Sequence, residues 1–207
     1  MNVAIILLAA GKSSRTSKGG FHKLLAEFDG IPLLQQMATV AMESDASSVT
    51  VVLGHRHEEL RNVLSGIDVE TVVNPDYALG MSSSLAAGLA TTKVQDADGV
   101  MIMLADMPGI TSEHLNEMIF TFKKSGGTAI TRAVANGSPG NPVILPRSLR
   151  EAVSQIKGDV GARDVIKSSG LPIINVEVGH AAEIDVDTPE AIAAAGGMSP
   201  GASRGPL

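Results

Sequence analysis

Leu7-Leu8-Ala9-Ala10-Gly11-Lys12-Ser13-Ser14-Arg15, running on to His22-Lys23-Leu24-Leu25, decides how the rest of the chain is read. The aliphatic run 3–8 has the length of a strand buried on both faces, and it ends in a loop of small residues. That loop carries Lys12, Arg15, Lys18 and Lys23, and no Asp or Glu occurs before Glu27, in a chain whose net charge is −6. Backbone N–H groups of a Gly/Ser loop can approach phosphate oxygens closely, and unopposed cations neutralise them. A polyphosphate-binding turn at the end of a first core strand is the expectation.

Composition narrows the classes. At 207 residues one domain is the default, expected over 1–195, with the Gly/Pro/Ser-rich 196–207 as a flexible C-terminal tail. Hydrophobic residues make up 44% but aromatics only 2%, so the core must be aliphatic. Few aromatics and a pI near 5.3 speak against a nucleic-acid binder, which needs stacking platforms or a basic face. With no cysteine, disulfides, thiolate catalysis and Cys–zinc sites are excluded. The first apolar run lacks a charged leader and no run reaches membrane-spanning length, so a cytoplasmic chain with no membrane partner is expected.

Outward from the loop, 24–28 reads as a short extended piece and Asp29-Gly30 as a turn. Pro32 suits a first helical position, with Leu33, Leu34, Met37, Val40 and Ala41 at helical spacing. Strands are expected at 48–53, 69–73 and 99–104, a polar amphipathic helix at 58–64, and a helix opening at Met81-Ser82-Ser83-Ser84. Thr111 or Ser112 can cap a helix reaching Lys123 and Lys124. Residues 128–134 and 142–145 read as strands joined by Asn136-Gly137-Ser138-Pro139-Gly140. Short helices flank 158–163, and a strand at 172–178 and a helix at 189–195 follow. Strand–helix alternation over the first two-thirds implies an α/β fold: a doubly wound, mostly parallel sheet with a short antiparallel extension.

The loop is not a dinucleotide fingerprint, since Gly11 is the first glycine and none follows two residues on. Nor is it a Walker A loop, whose first glycine would fall at Ile6 inside the strand. Leu8-Ala9-Ala10-Gly11 through Arg15, with Lys23-Leu24-Leu25, instead resembles the signature of the MobA-like nucleotidyltransferases, a fold shared by molybdenum cofactor nucleotidyltransferases and sugar-nucleotide pyrophosphorylases. Asn74-Pro75-Asp76-Tyr77-Ala78-Leu79-Gly80-Met81-Ser82-Ser83-Ser84-Leu85 resembles the segment lining that family's substrate cleft. Leu104-Ala105-Asp106-Met107-Pro108 is similar to its metal-binding motif. Gly140-Asn141-Pro142-Val143, Gly158-Asp159-Val160-Gly161-Ala162-Arg163 and Asp185-Val186-Asp187-Thr188-Pro189-Glu190 follow in the family's order.

The resemblance spans 3 to about 195 and implies a nucleotide-diphospho-sugar transferase-like variant of the Rossmann fold. It is greatest to the cytidylyltransferase branch. The guanylyl branch usually carries Leu-Ala-Gly-Gly where this chain has Leu8-Ala9-Ala10-Gly11, and a Cβ at position 10 narrows the base pocket toward a pyrimidine. Methylerythritol-phosphate cytidylyltransferases share the opening loop but fit less well afterwards. Residues 16–22 make this loop longer than the family's, which leaves the cation partnering Lys23 open between Arg15 and Lys18.

The reaction implied is nucleotidyl transfer: a terminal phosphate of the acceptor attacks the α-phosphorus of a nucleoside triphosphate and pyrophosphate leaves. Such a reaction asks for alignment and charge neutralisation, not a protein nucleophile. By the resemblance, Lys23, Arg15 and Asp106 are the catalytic groups. Leu8, Ala9, Ala10, Gly11, Lys12, Ser13, Asn74, Gly80, Ser82 and Ser83 join Arg15 and Lys23 on the nucleotide. Asp106, Asp187 and Asp185 hold Mg2+, and Asn141, Asp159 and Arg163 face the acceptor. Plainer roles stay open here: Lys23 as a solvated lysine, Asp106 as a turn residue before Pro108, Asp187 as the cap of a helix entered at Pro189, and the serines as caps. The implied substrates are CTP and the molybdenum cofactor (molybdopterin), with a molybdenum hydroxylase or its maturation factor downstream. Alternatives are GTP with the same cofactor, CTP with a small sugar or polyol phosphate, or a non-catalytic nucleotide- or molybdopterin-binding carrier.

Overall fold

Val3 to Leu7 are fully buried, and the strand they open forms the middle of the sheet in a computed structural model that describes residues 1–13, 16, 21–158 and 161–200. In chain order the strands are β1 (Val3–Ala9), β2 (Glu27–Phe28), β3 (Ile31–Pro32), β4 (Ser48–Leu53), β5 (Glu70–Val73), β6 (Gly99–Leu104), β7 (Ile130–Ala135), β8 (Ser138–Pro146) and β9 (Ile173–Glu177). The α-helices are α1 (Leu33–Met42), α2 (His57–Val63), α3 (Met81–Leu89), α4 (Thr92–Gln95), α5 (Ser112–Lys124), α6 (Arg150–Ser154), α7 (Arg163–Ser168) and α8 (Pro189–Ala194).

The main sheet has the order β5-β4-β1-β6-β8-β7-β9. β5, β4, β1 and β6 are parallel; β8 runs antiparallel to β6 and β7, and β9 is parallel to β7. This is the expected doubly wound, mostly parallel sheet with an antiparallel insertion. Period-two alternation sends Ile5, Leu7, Val51, Met101 and Met103 to one face, where α1 and α5 pack. Ala4, Ile6, Val52, Val100 and Ile102 go to the other, under α3, α4 and α6. Gly88 of α3 is required there, because a Cβ would lie 2.7 Å from Ile6 Cγ2. From β1 the chain moves to β4 on one side and, after β5, to β6 on the other. The crevice at the carboxyl ends of β1 and β6, where Leu8 is opposite Leu104, is thus a topological switch point.

Several local expectations shift. Ala135 pairs with Ser138 across a two-residue turn whose Asn136 and Gly137 both have positive φ, so β8 begins at Ser138 and not at 142. Pro139 and Gly140 read as breakers, yet Pro139 sits where the β7–β8 register shifts, a place that tolerates proline. Residues 23–25 form a 3-10 turn rather than extended chain. Pro32 is extended and precedes α1 instead of starting it. Met198 exchanges two backbone hydrogen bonds of 2.8 Å with Glu27 in an isolated antiparallel bridge. Among the described residues no helix is long and apolar enough to cross a membrane.

Candidate active site

His22 is 1% exposed and fastens the loop after β1. Its Nε2–H donates to the Gly11 carbonyl at 3.1 Å, while Nδ1 accepts the Leu24 N–H at 3.3 Å, which together assign the tautomer. Ser13 Oγ accepts the Lys23 N–H at 2.8 Å. The two ends of the loop are therefore joined by side chains, and the place of Lys23 is fixed whatever the length between them. Burial pushes the His22 pKa down from 6.5 to about 4; the Gly11 carbonyl opposes this, and the nearby charges of His55, Arg56 and Lys23 add to it. His22 is neutral near pH 7. Arg15, Lys18 and Asp159 lie outside the described residues.

Asp106 stands just past β6, held beside β1 by the Ala105 N–H to Leu8 carbonyl bond of 3.1 Å. Val186 is fully buried and its N–H donates to the Asp106 carbonyl at 2.9 Å. Its neighbours Asp185 and Asp187 therefore turn outward together, although the segment forms no strand. One oxygen from each of Asp106, Asp185 and Asp187 lies within 4.8 Å of the others. Thr188, not Asp187, caps α8 by accepting the Ala191 N–H.

The Lys23 ammonium bridges this cluster, 2.5 Å from Asp106 Oδ2 and in contact with Asp187 Oδ1. Burial works to lower its pKa, but Asp106 and Asp187 together outweigh burial and raise it, so the ammonium stays charged. Asp106 Oδ1 is buried and has no hydrogen-bond partner. A buried carboxylate oxygen left over beside two further carboxylates is a hard-oxygen donor set, and these residues fit Mg2+.

Two cavities meet over the carboxyl edge of the sheet and share Met81 and Leu104 as walls. The first, about 550 Å³, is lined by the expected Leu8, Ala9, Ala10, Gly11, Lys12, Lys23, Gly80, Asp106, Asp185 and Asp187. The second, about 700 Å³, lies over β6, β8 and α7 and contains the expected Asn141 and Arg163. Asn74, Ser82 and Ser83 line neither cavity, because their polar groups serve the fold. The Asn74 amide donates to Ser83 Oγ at 2.8 Å and Ser84 Oγ at 3.0 Å and accepts the Asp76 N–H; Ser82 Oγ donates to the Gly158 carbonyl at 2.6 Å. Ser13 likewise has its hydroxyl in the loop clasp. Tyr77, Met81 and Ser84 of the segment resembling the family's cleft lining also face the first cavity, with His22 and Leu104 from the loop and metal motifs, whereas Arg132 and Lys167 in the second belong to none of the quoted motifs. For Arg132 the one cue in the sequence is parity: two residues after Ile130 in an expected strand, it shares the core-facing side, which by itself names no role.

The family model described as a MobA-like NTP transferase domain matches residues 5–173. The chain is 29% identical over 194 residues to the purine catabolism protein PucB of Bacillus subtilis, covering 89% of this chain and 91% of that one. It is 28% identical over 164 residues to nicotine blue oxidoreductase of Paenarthrobacter nicotinovorans, covering 76% and 78%. Among solved structures, the Mycobacterium sp. strain JC1 homolog of Mycobacterium tuberculosis Rv0371c superposes with a TM-score of 0.80 at 26% identity, covering 93% of this chain and 94% of that one.

Proposed function

The chain belongs to the MobA-like NTP transferase family, and from that premise we propose that it is a Mg2+-dependent cytidylyltransferase that joins CMP from CTP to the terminal phosphate of the molybdenum cofactor and releases pyrophosphate. The observation that carries this reading is the junction of two cavities at Leu104 and Met81, with the lysine–carboxylate cluster at the Asp106 end of the shared wall. A transferase that joins two anionic substrates needs two adjacent compartments and charge neutralisation where they meet.

In the first lobe, the loop of Ala10 and Gly11 lies beside Lys12 and Lys23, so backbone N–H groups and ammonium groups converge on a triphosphate. Ala10 lines this lobe with a methyl group, which favours the smaller pyrimidine base. The Lys23 ammonium leaves the carboxylates for the triphosphate oxygens as these enter, and so opens Asp106, Asp185 and Asp187 to Mg2+. When bound there, Mg2+ supplies charge neutralisation at the phosphoryl oxygens. Asn141 and Arg163 orient the acceptor from the second lobe, and the acceptor phosphate is already anionic, so no general base is needed. The partner implied downstream is a molybdenum hydroxylase or its maturation factor.

A panel of nucleoside triphosphates against acceptors, read out as pyrophosphate, tests this. Release is expected only with CTP, Mg2+ and molybdopterin together. Equal release with GTP or with a sugar phosphate would overturn the substrate assignment, and tight nucleotide binding without release from any acceptor would make the chain a carrier.

A further inference from the structure

A row of residues runs across the sheet through the second lobe: Ile102 of β6, Val143 of β8, Arg132 of β7 and Asn175 of β9 stand in register. The first two give an apolar floor, and Arg132 closes its far side. The Arg132 Nε and Nη2 groups donate to Asn175 Oδ1 at 3.3 and 3.0 Å, a neutral partner that orients the guanidinium without cancelling its charge. The carboxylate two residues further along β9, Glu177, is engaged by the N–H groups of Asn136, Gly137 and Gly179 instead. Across the cavity, Arg163 and Lys167 occupy i and i+4 positions of α7 and so share a helix face. Among the described residues, these three cations face one lining carboxylate, Asp164, although the chain as a whole carries a charge of −6.

Position matters more than the count. Arg132 is two strands away from Ile102, and Ile102 lies two residues before Leu104. With strands ~4.8 Å apart and ~3.3 Å per residue, the Arg132 backbone is roughly 10 Å across and ~7 Å back from the Leu104 end, where transfer would occur. A phosphate attacking at Asp106 is out of its reach.

We propose that Arg132, with Arg163 and Lys167 facing it, forms an anion-binding subsite for the far end of the acceptor. The acceptor then carries a second anionic group away from its attacking phosphate, and that second group rests in the Arg132 clamp. This rests on reading the second lobe as the acceptor site, and makes Arg132 a specificity residue rather than a catalytic one. An acceptor with a single anionic end leaves the clamp empty and binds more weakly.

The test is calorimetric binding of two probes to the protein: hexanediol bisphosphate, anionic at both ends, and hexyl phosphate, anionic at one. Wild-type protein should prefer the bisphosphate by about tenfold, the size of one charge-assisted contact. Arg132→Gln should bring the two affinities together while CTP affinity stays unchanged, and Arg163→Gln, on an exposed helix face, should reduce the preference in part. An undiminished preference in Arg132→Gln, or none in the wild type, overturns the subsite. If Arg132 only braces β7 against β9, Asn175→Ala and Arg132→Gln lower the thermal midpoint alike and neither changes the preference, which overturns it too. Failure of every acceptor to yield pyrophosphate would instead count against the transferase reading, since probe binding does not depend on turnover.

Discussion

The Lys23 ammonium stands between Asp106 and Asp187, where it holds together carboxylates that would otherwise repel one another. Replacing it with methionine keeps the length of the side chain and removes the charge. In Lys23→Met, Mn2+ binding without nucleotide, measured by electron paramagnetic resonance, should tighten by about tenfold, because the ion no longer competes with an internal cation. Pyrophosphate formation should fall by about a hundredfold or more with the loss of a phosphate contact. Unchanged or weaker Mn2+ binding would show that lysine and metal do not share the carboxylates. His22 gives a pH signature with a definite sign. Its folded pKa of about 4 lies below its ordinary 6.5, so the unfolded chain binds the proton more readily. The stabilisation is fully present above pH 6.5 and is lost as pH falls toward about 4, by about 3 kcal/mol in all. Urea unfolding from pH 7 to 5 should lose that slope in His22→Gln, and an unaltered slope would assign it to other groups. Lys23 and Asp106 were legible because each follows or precedes an apolar segment that could only be core. Arg132 was not, since its meaning depends on Ile102 and Asn175, which lie 30 and 43 positions away in the chain.

The elements that read most directly were those with one physical cause. β4 and β6 match their expected spans because a β-branched run and an apolar run of six residues have only the sheet interior to occupy. α5 starts where Thr111 accepts the His114 N–H. α3 likewise opens at Met81 as expected, but the part played by Asn74 ahead of it did not read from the sequence. Asn74 looked like a ligand contact, but it is 3% exposed and ties three backbone and side-chain groups across the 74–84 connection. Asn74→Ala leaves Ser83 and Ser84 without that donor and should cost about 2 kcal/mol in urea unfolding. CTP affinity at a temperature where the variant is folded should change far less; a selective loss of CTP binding with unchanged stability would return Asn74 to the ligand. Gly54, just after β4, makes the opposite case. A Cβ there would meet the Ala10 carbonyl oxygen at 2.7 Å and Tyr77 Cβ at 2.7 Å, both parts of the first lobe's wall. Gly54→Ala should therefore weaken CTP binding by about tenfold by displacing the loop, without touching the carboxylates.

At the scale of the molecule, the switch point between β1 and β6 brings Ala10 and Asp106 to one crevice from opposite ends of the first hundred residues. The return of residues 185–187, pinned through Val186, then adds the remaining carboxylates. A site assembled this way concentrates negative charge, and Lys23 offsets it when no substrate is present. The fold is therefore expected to hold its stability without the metal. The thermal midpoint of the wild type should differ by no more than about 2 °C between excess EDTA and excess Mg2+, the shift expected for about 1 kcal/mol or less in a chain of this size. Mg2+ with CTP together should raise it by several degrees, since ligands that bind only the folded state at about a hundred times Kd add nearly 3 kcal/mol. Lys23→Met reverses the pattern: with the internal counter-ion gone, Mg2+ alone should stabilise it. A wild-type chain that collapses in EDTA would mean that the three carboxylates need a resident ion to fold, and that Lys23 is no substitute for it.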